Sequence, residues 1–218
     1  MPLKRARHRI LKKKMSTLVT FVLDHSGSMS QFLQPLRIQI DQLISKMNLD
    51  AHCIGFSGMV VEGKRFCHFH LPSFTTDIEA GLRAFVNHHA KPENLGRPCI
   101  LVFVSDGEDD KKGTIHQRIL DLKGPSNCHM LSIGVGMQFP VETALVMREW
   151  LNSPHDRQFL IQLEEPWHIQ NTILTLEEFF SDNLEMKPVG LECIYYFFAA
   201  ADKNAVCVAA PHPTDDAL

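Results

Sequence analysis

Two apolar runs that each end on an aspartate constrain this chain most. Residues 18–23 read Leu-Val-Thr-Phe-Val-Leu before Asp24, and residues 99–104 read Cys-Ile-Leu-Val-Phe-Val before Ser105 and Asp106. A strand with one wet face alternates apolar and polar residues. A near-continuous apolar run suits a strand covered on both faces, the habit of parallel sheets. The carboxylate that closes each run then falls just beyond the carboxyl end of a central strand.

The rest of the chain has the spacing such a sheet needs. Strand-like runs over 16–24, 51–57, 60–69, 99–105, 129–135 and 158–163 alternate with helix-period segments over 31–48, 77–90, 114–123, 140–152 and 166–183. In the first helix Leu33, Leu36, Ile40, Leu43, Ile44 and Met47 recur at spacings of three and four, which makes one apolar stripe. Gly124-Pro125 is a helix stop. Glycines beside 60–69 predict a hairpin with 51–57. The expected fold is α/β and doubly wound, Rossmann-like. It has a six-stranded, mostly parallel sheet with one antiparallel edge strand, and helices on both faces. The chain divides into a basic arm over 1–14, a domain over 15–186 and an extension over 187–218, where 191–201 and 205–209 suggest extra strands before a frayed end.

Charge is unevenly distributed. The formal net charge is −3, and residues 1–14 carry seven lysines and arginines with no acidic residue, so removing those seven leaves −10 on the remainder. An acidic body disfavours nucleic-acid binding by the folded part. The arm itself could contact nucleic acid or an anionic membrane, or serve as a nuclear address; a solvated tail has the same composition. No apolar stretch reaches the roughly 18 to 20 residues needed to span a bilayer. The arm is not followed by a secretory apolar segment, which gives an intracellular and chiefly cytoplasmic expectation. Six cysteines without a Cys-x-x-Cys pair read as free thiols.

The chemistry concentrates after the first run, in Asp24-His25-Ser26-Gly27-Ser28. Alone, such a turn is also a helix cap. Thr76, with Glu79 three residues on, has the pattern of a capping box, and Asp106-Gly107 alone is an ordinary turn. Together and in this order they resemble the metal-ion-dependent adhesion site of von Willebrand factor A domains. There, an Asp-x-Ser-x-Ser motif after the first strand is completed by a later Thr and by an Asp after the fourth strand. The resemblance covers roughly residues 16–185. It implies a cation held by Asp24, Ser26, Ser28, Thr76 and Asp106, with an open position that accepts a Glu or Asp from a protein partner. An all-oxygen set suits Mg²⁺, or Mn²⁺ or Ca²⁺. In some members the last helix moves on engagement, which here corresponds to 166–183.

The expected role is therefore a cation-dependent protein-binding module and not an enzyme. Gly55-Phe56-Ser57-Gly58 misses the nucleophile-elbow spacing, and Gly134-Val135-Gly136 lacks the third glycine of a dinucleotide fingerprint. Two alternatives stay open: a metal-dependent hydrolase using the same cation, and a structural domain needing none. Three lesser features have bland readings. Asp109 and Asp110 read as a solvated loop. Cys67, His68 and His70 read as an exposed edge-strand face more readily than a zinc site. His88 and His89 read as complements to a helix dipole.

Overall fold

The computed structural model describes residues 17–70, 75–109, 114–125, 127–136, 141–151, 158–163, 165–183, 194–198 and 208–210. The basic arm, Asp110 and the segment 184–193 lie outside them. Strands β1 (Leu18–Asp24), β2 (Ala51–Phe56), β3 (Val60–Gly63), β4 (Cys99–Ser105), β5 (Cys128–Val135), β6 (Gln158–Leu163), β7 (Ile194–Phe198) and β8 (Val208–Ala210) form one sheet in the order β3-β2-β1-β4-β5-β6-β7-β8. The run β3-β2-β1-β4-β5 is a mixed sheet whose one antiparallel pair is β2–β3. β6 and β7 continue it in parallel, and β8 turns back against β7.

Six strands with one antiparallel edge is therefore corrected. Eight strands are present among the described residues, because β7 and β8 of the extension join the same sheet. The third strand is also shorter than its apolar pattern suggested. It stops at Gly63, and Phe66–His68 forms a single 3-10 turn. Side chains of α1 (Ser30–Lys46) impose that turn. The Asp41 carboxylate accepts from Phe66 N and Cys67 N at 2.9 Å each, and Arg37 donates to Phe69 O at 2.9 Å. The backbone thus finds its partners on a helix instead of on the sheet. Cys67 is exposed on this turn, not on an edge strand.

Helices cover both faces. One core layer joins Phe21, Leu23, Val102 and Val104 to Leu36 and Ile40 of α1 and to Ile173 and Phe180 of α5 (Ile169–Asn183). The opposite layer joins Val22, Ile54, Leu101 and Phe103 to α2 (Ile78–His89), α3 (Ile115–Leu120) and α4 (Val141–Leu151) through Leu82, Phe85, Ile119 and Met147. Every residue of β1 and β4 is buried, as a strand sandwiched between helix layers must be. Each large apolar side chain placed there contributes roughly 1.5–3 kcal/mol relative to exposure. Among the described residues, no helix is long and apolar enough to cross a membrane.

β1 is flanked by β2 on one side and β4 on the other. The chain leaves β1 through α1 toward β2, and later crosses by α2 to β4 on the far side. The connection thus changes direction at β1, and in open α/β sheets ligands bind beyond the strand ends at such a switch point.

Candidate functional site

Asp24 is the last residue of β1 and is fully buried. The sheet dictates this: Asp24 pairs with Phe56, the last residue of β2, while Leu23 pairs with Val104 of β4. Its Oδ1 accepts from Ser26 N and its Oδ2 from Ser105 Oγ, each at 2.8 Å. Among the described residues, neither bond comes from a cation. Burial, foremost, and the negative charge of Asp106 push the carboxyl up to about 6, although the Ser26 and Ser105 bonds pull the other way. A carboxylate withdrawn from water beside a like charge is poised to gain from a cation.

The turn after Asp24 folds on itself. Met29 N and Ser30 N donate to the carbonyls of Ser26 and Gly27, at 3.2 Å each, and lead into α1. This brings the Ser26 and Ser28 hydroxyls to 3.0 Å of one another, with Ser26 buried and Ser28 exposed. Met29 is the capping position of α1 and makes no side-chain cap bond, so the helix-cap explanation of Asp24-x-Ser does not apply.

Asp106 follows β4 directly. Its Oδ1 accepts from Glu108 N at 3.0 Å, and Gly107 N donates to Ser105 Oγ at 2.9 Å. Gly107 has φ of 79°, the left-handed region that favours glycine. Gly27, in the turn after β1, does not adopt a positive φ. Ser105 was not singled out from sequence. The available signal was a hydroxyl closing an otherwise apolar strand, one residue before the aspartate.

Thr76 is buried just ahead of α2. The cap of that helix is Asp77, whose side chain accepts from Ala80 N at 3.1 Å, so the capping-box reading of Thr76 is replaced. Glu79 instead pairs with Arg83 and Arg118. Two contacts set the position of this segment. Asp109, after β4, accepts from Ile78 N at 2.9 Å and is buried, not solvated as expected. A Cβ on Gly58, past the end of β2, would collide with Thr75 Oγ1. The segment therefore lies at the carboxyl rim of the sheet, where β1 and β4 end.

The structure thus joins Asp24, Ser26 and Ser28 directly. It sets Asp106 close enough for its charge to act on Asp24, and places Thr76 at the same rim. His25 points its ring toward Phe66 and Phe69, with centroids 6.1 Å from each. Burial, with Arg37 second, pushes it down to about 4. It packs under the turn as a neutral ring.

The lesser candidates also resolve. His88 and His89 are buried, and burial chiefly pushes them down to about 3 and about 4. As neutral rings they cannot serve as cationic complements to a helix dipole. Cys53, Cys99 and Cys128 are buried free thiols, as their apolar surroundings in the sequence indicated.

No family model matches this sequence, and no curated protein matches it. Solved structures do match in fold. A von Willebrand factor type A protein from Catenulispora acidiphila superposes with a TM-score of 0.53 at 11% identity, over 75% of this chain and 42% of that one. Proximal thread matrix protein 1 from the mussel byssus gives 0.53 at 12% identity, over 75% and 48%. The pilus adhesin SpaC from Lactobacillus rhamnosus GG gives 0.57 at 13% identity, over 79% and 31%. This chain spans less than half the length of each. The shared feature is the fold, which is von Willebrand factor A-like.

Proposed function

From this von Willebrand factor A-like fold, we propose that the chain is a divalent-cation-dependent protein-binding module. Asp24, Ser26, Ser28, Thr76 and Asp106 would hold a Mg²⁺-type ion, with Mn²⁺ or Ca²⁺ as substitutes. The observation that carries this reading is Asp24: a fully buried carboxylate, raised to about 6, whose hydrogen bonds come from an amide and a hydroxyl. Burying an ionised carboxylate without a cation is costly, and a divalent ion at this rim would offset that cost. The donor set fits, since hard cations prefer oxygen and Mg²⁺ keeps positions for external ligands. When bound, the ion would supply a Lewis-acidic point of attachment for an anionic group.

The role of the protein residues follows. Ser26 and Ser28 offer neutral oxygens, so the ion keeps net positive charge for an Asp or Glu side chain of a partner protein. Ser105 orients Asp24, and Asp109 holds the Thr76 segment against the β4 loop. The favoured role is binding without turnover. The ion would sit at the centre of an interface inside the cell, most simply in the cytoplasm.

The test is affinity capture from lysate in Mg²⁺ and in chelator, with the wild-type chain and Asp24→Ala side by side, followed by binding measurements on the recovered partner. Mg²⁺-dependent binding lost in Asp24→Ala, and lost when a single partner carboxylate is replaced, is the expected result. Equal binding in chelator defeats the proposal. Turnover of a phosphate or carboxylic ester that disappears with Asp24→Ala would support the hydrolase instead.

A further inference from the structure

A second group of ligating side chains lies at the opposite end of the sheet. His52 is the second residue of β2, and Glu62 lies diagonally across the β2–β3 hairpin, where it pairs with Ile54. His88 comes from the last turn of α2, which packs on that face. One ligand atom from each of the three lies within 4.8 Å of the other two. Asp24 is level with Phe56, four residues along β2 from His52, so the two sites are separated by roughly 13 Å of strand.

The details of this cluster are unusual for simple packing. His52 Nε2 meets Glu62 Oε2 at 2.8 Å. The His52 and His88 rings stack with centroids 3.5 Å apart and planes 4° from parallel. The two ring nitrogens of His88 both face donors: Asn94 Nδ2 at 3.1 Å from Nε2, and the exposed Lys91 ammonium at 3.5 Å from Nδ1. A neutral imidazole has one lone pair, so it can serve only one of them. His88 is thus already approached by a cation, on a long side chain able to swing into water. A metal takes the unprotonated nitrogen of a neutral imidazole, so at His52 it would displace the proton that Nε2 donates to Glu62.

We propose that His52, Glu62 and His88 form a zinc-type transition-metal site that pins the end of α2 to the β2–β3 hairpin. Two imidazoles and one carboxylate are a known zinc donor set, with water as the fourth ligand. Imidazole nitrogen also selects zinc over magnesium or calcium, so this site and the oxygen rim at Asp24 take different ions. Tetrahedral zinc with bonds of roughly 2.0–2.1 Å holds its ligands about 3.3–3.5 Å apart. Reaching that size requires the three side chains to rotate, and Glu62, with 38% of its side chain exposed, is the natural mover. A bound metal lies in the plane of each imidazole, so binding fans the stacked rings apart.

The experiment titrates Co²⁺, as a zinc surrogate, into the full chain without a polyhistidine tag and in excess Mg²⁺. The expected result is a visible absorption band of tetrahedral intensity that Zn²⁺ abolishes stoichiometrically and Mg²⁺ leaves unchanged. It persists in Asp24→Ala and in a Cys67→Ser/His68→Ala/His70→Ala variant. It weakens by at least tenfold in affinity in Glu62→Gln, His52→Ala and His88→Ala. Should either histidine variant fail to fold cooperatively, Glu62→Gln, altered at a solvent-exposed residue, decides alone. Absence of the band, or Glu62→Gln binding within twofold of wild type, overturns the site. A band that follows Asp24 overturns it equally.

Discussion

Ser105 Oγ donates to Asp24 Oδ2 at 2.8 Å across 81 residues of sequence. It also accepts from Gly107 N at 2.9 Å. One hydroxyl therefore ties the end of β1 to the loop that carries Asp106.

Ser105→Ala removes both bonds while leaving a small residue in a packed strand. Partners that orient a metal ligand typically change affinity by about 10–100-fold. A loss in that range is expected for Mg²⁺ or Mn²⁺ in isothermal titration, with an unchanged far-ultraviolet spectrum. Unaltered cation affinity would show that Asp24 needs no such support.

Asp24→Asn separates fold from function. The native carboxyl is raised from 3.8 to about 6, so ionisation opposes folding in the absence of a cation. In chelator at neutral pH the variant should gain on the order of 1–3 kcal/mol in denaturant unfolding. In Mg²⁺ the order should reverse, because only the wild type gains ligand stabilisation. A variant less stable than wild type in chelator would contradict this account of Asp24.

Asp109→Ala leaves Ile78 N without its acceptor at the start of α2. An unsatisfied buried amide costs about 1–3 kcal/mol, and the Thr76 segment loses its tie to the β4 loop. Both lower stability and weaker cation binding are expected, with Asp109→Asn, which keeps an acceptor, retaining most of each. If Asp109→Ala lowers stability alone, Thr76 does not depend on this tie.

The Glu79–Arg118 pair gives a pH signature. Burial pushes the Glu79 carboxyl up, but hydrogen bonds and charge from Arg83 and Arg118 outweigh it, and the folded value falls below the ordinary one. Stability from a lowered carboxyl is complete above the unfolded value, about 4.3 for Glu. It is lost as pH falls through the folded value. The wild-type advantage over Glu79→Gln, on the order of 1 kcal/mol for partly buried pairs, should be full at pH 7 and shrink in acid. A difference independent of pH would point to packing instead.

Gly81→Ala probes how closely α2 lies on β2. An added Cβ would stand 2.8 Å from two ring atoms of Phe56. Alanine favours the helix by about 1 kcal/mol, but overpacking typically costs about 1–3 kcal/mol. A lower Tm is expected, and a higher one would show that the Phe56 ring yields.

Much of the rim was legible in the sequence because its signals are local. The run before Asp24 announces a strand buried on both faces, and the spacing Asp24-x-Ser26-x-Ser28 lies within one turn. β4 occupies the residues its pattern outlines, and α5 differs only in a 3-10 turn over Pro166–His168. The misreadings share one cause. β3 ends early because Asp41 and Arg37, more than twenty residues away, claim the backbone after Arg65. Asp109 looked solvated because its partner, Ile78 N, is 31 residues distant.

Local pattern thus outlined the central strands buried on both faces, the apolar helix stripes and where the acidic ends fall, since period and burial depend on near neighbours. Tertiary structure alone decided that β1 lies between β2 and β4, so that Asp24 meets Ser105. It likewise decided that His52, Glu62 and His88 come within 4.8 Å of one another. Strand order and helix docking are choices among long-range contacts. Their free energies come from the packing of whole faces, and no short stretch of sequence carries that information.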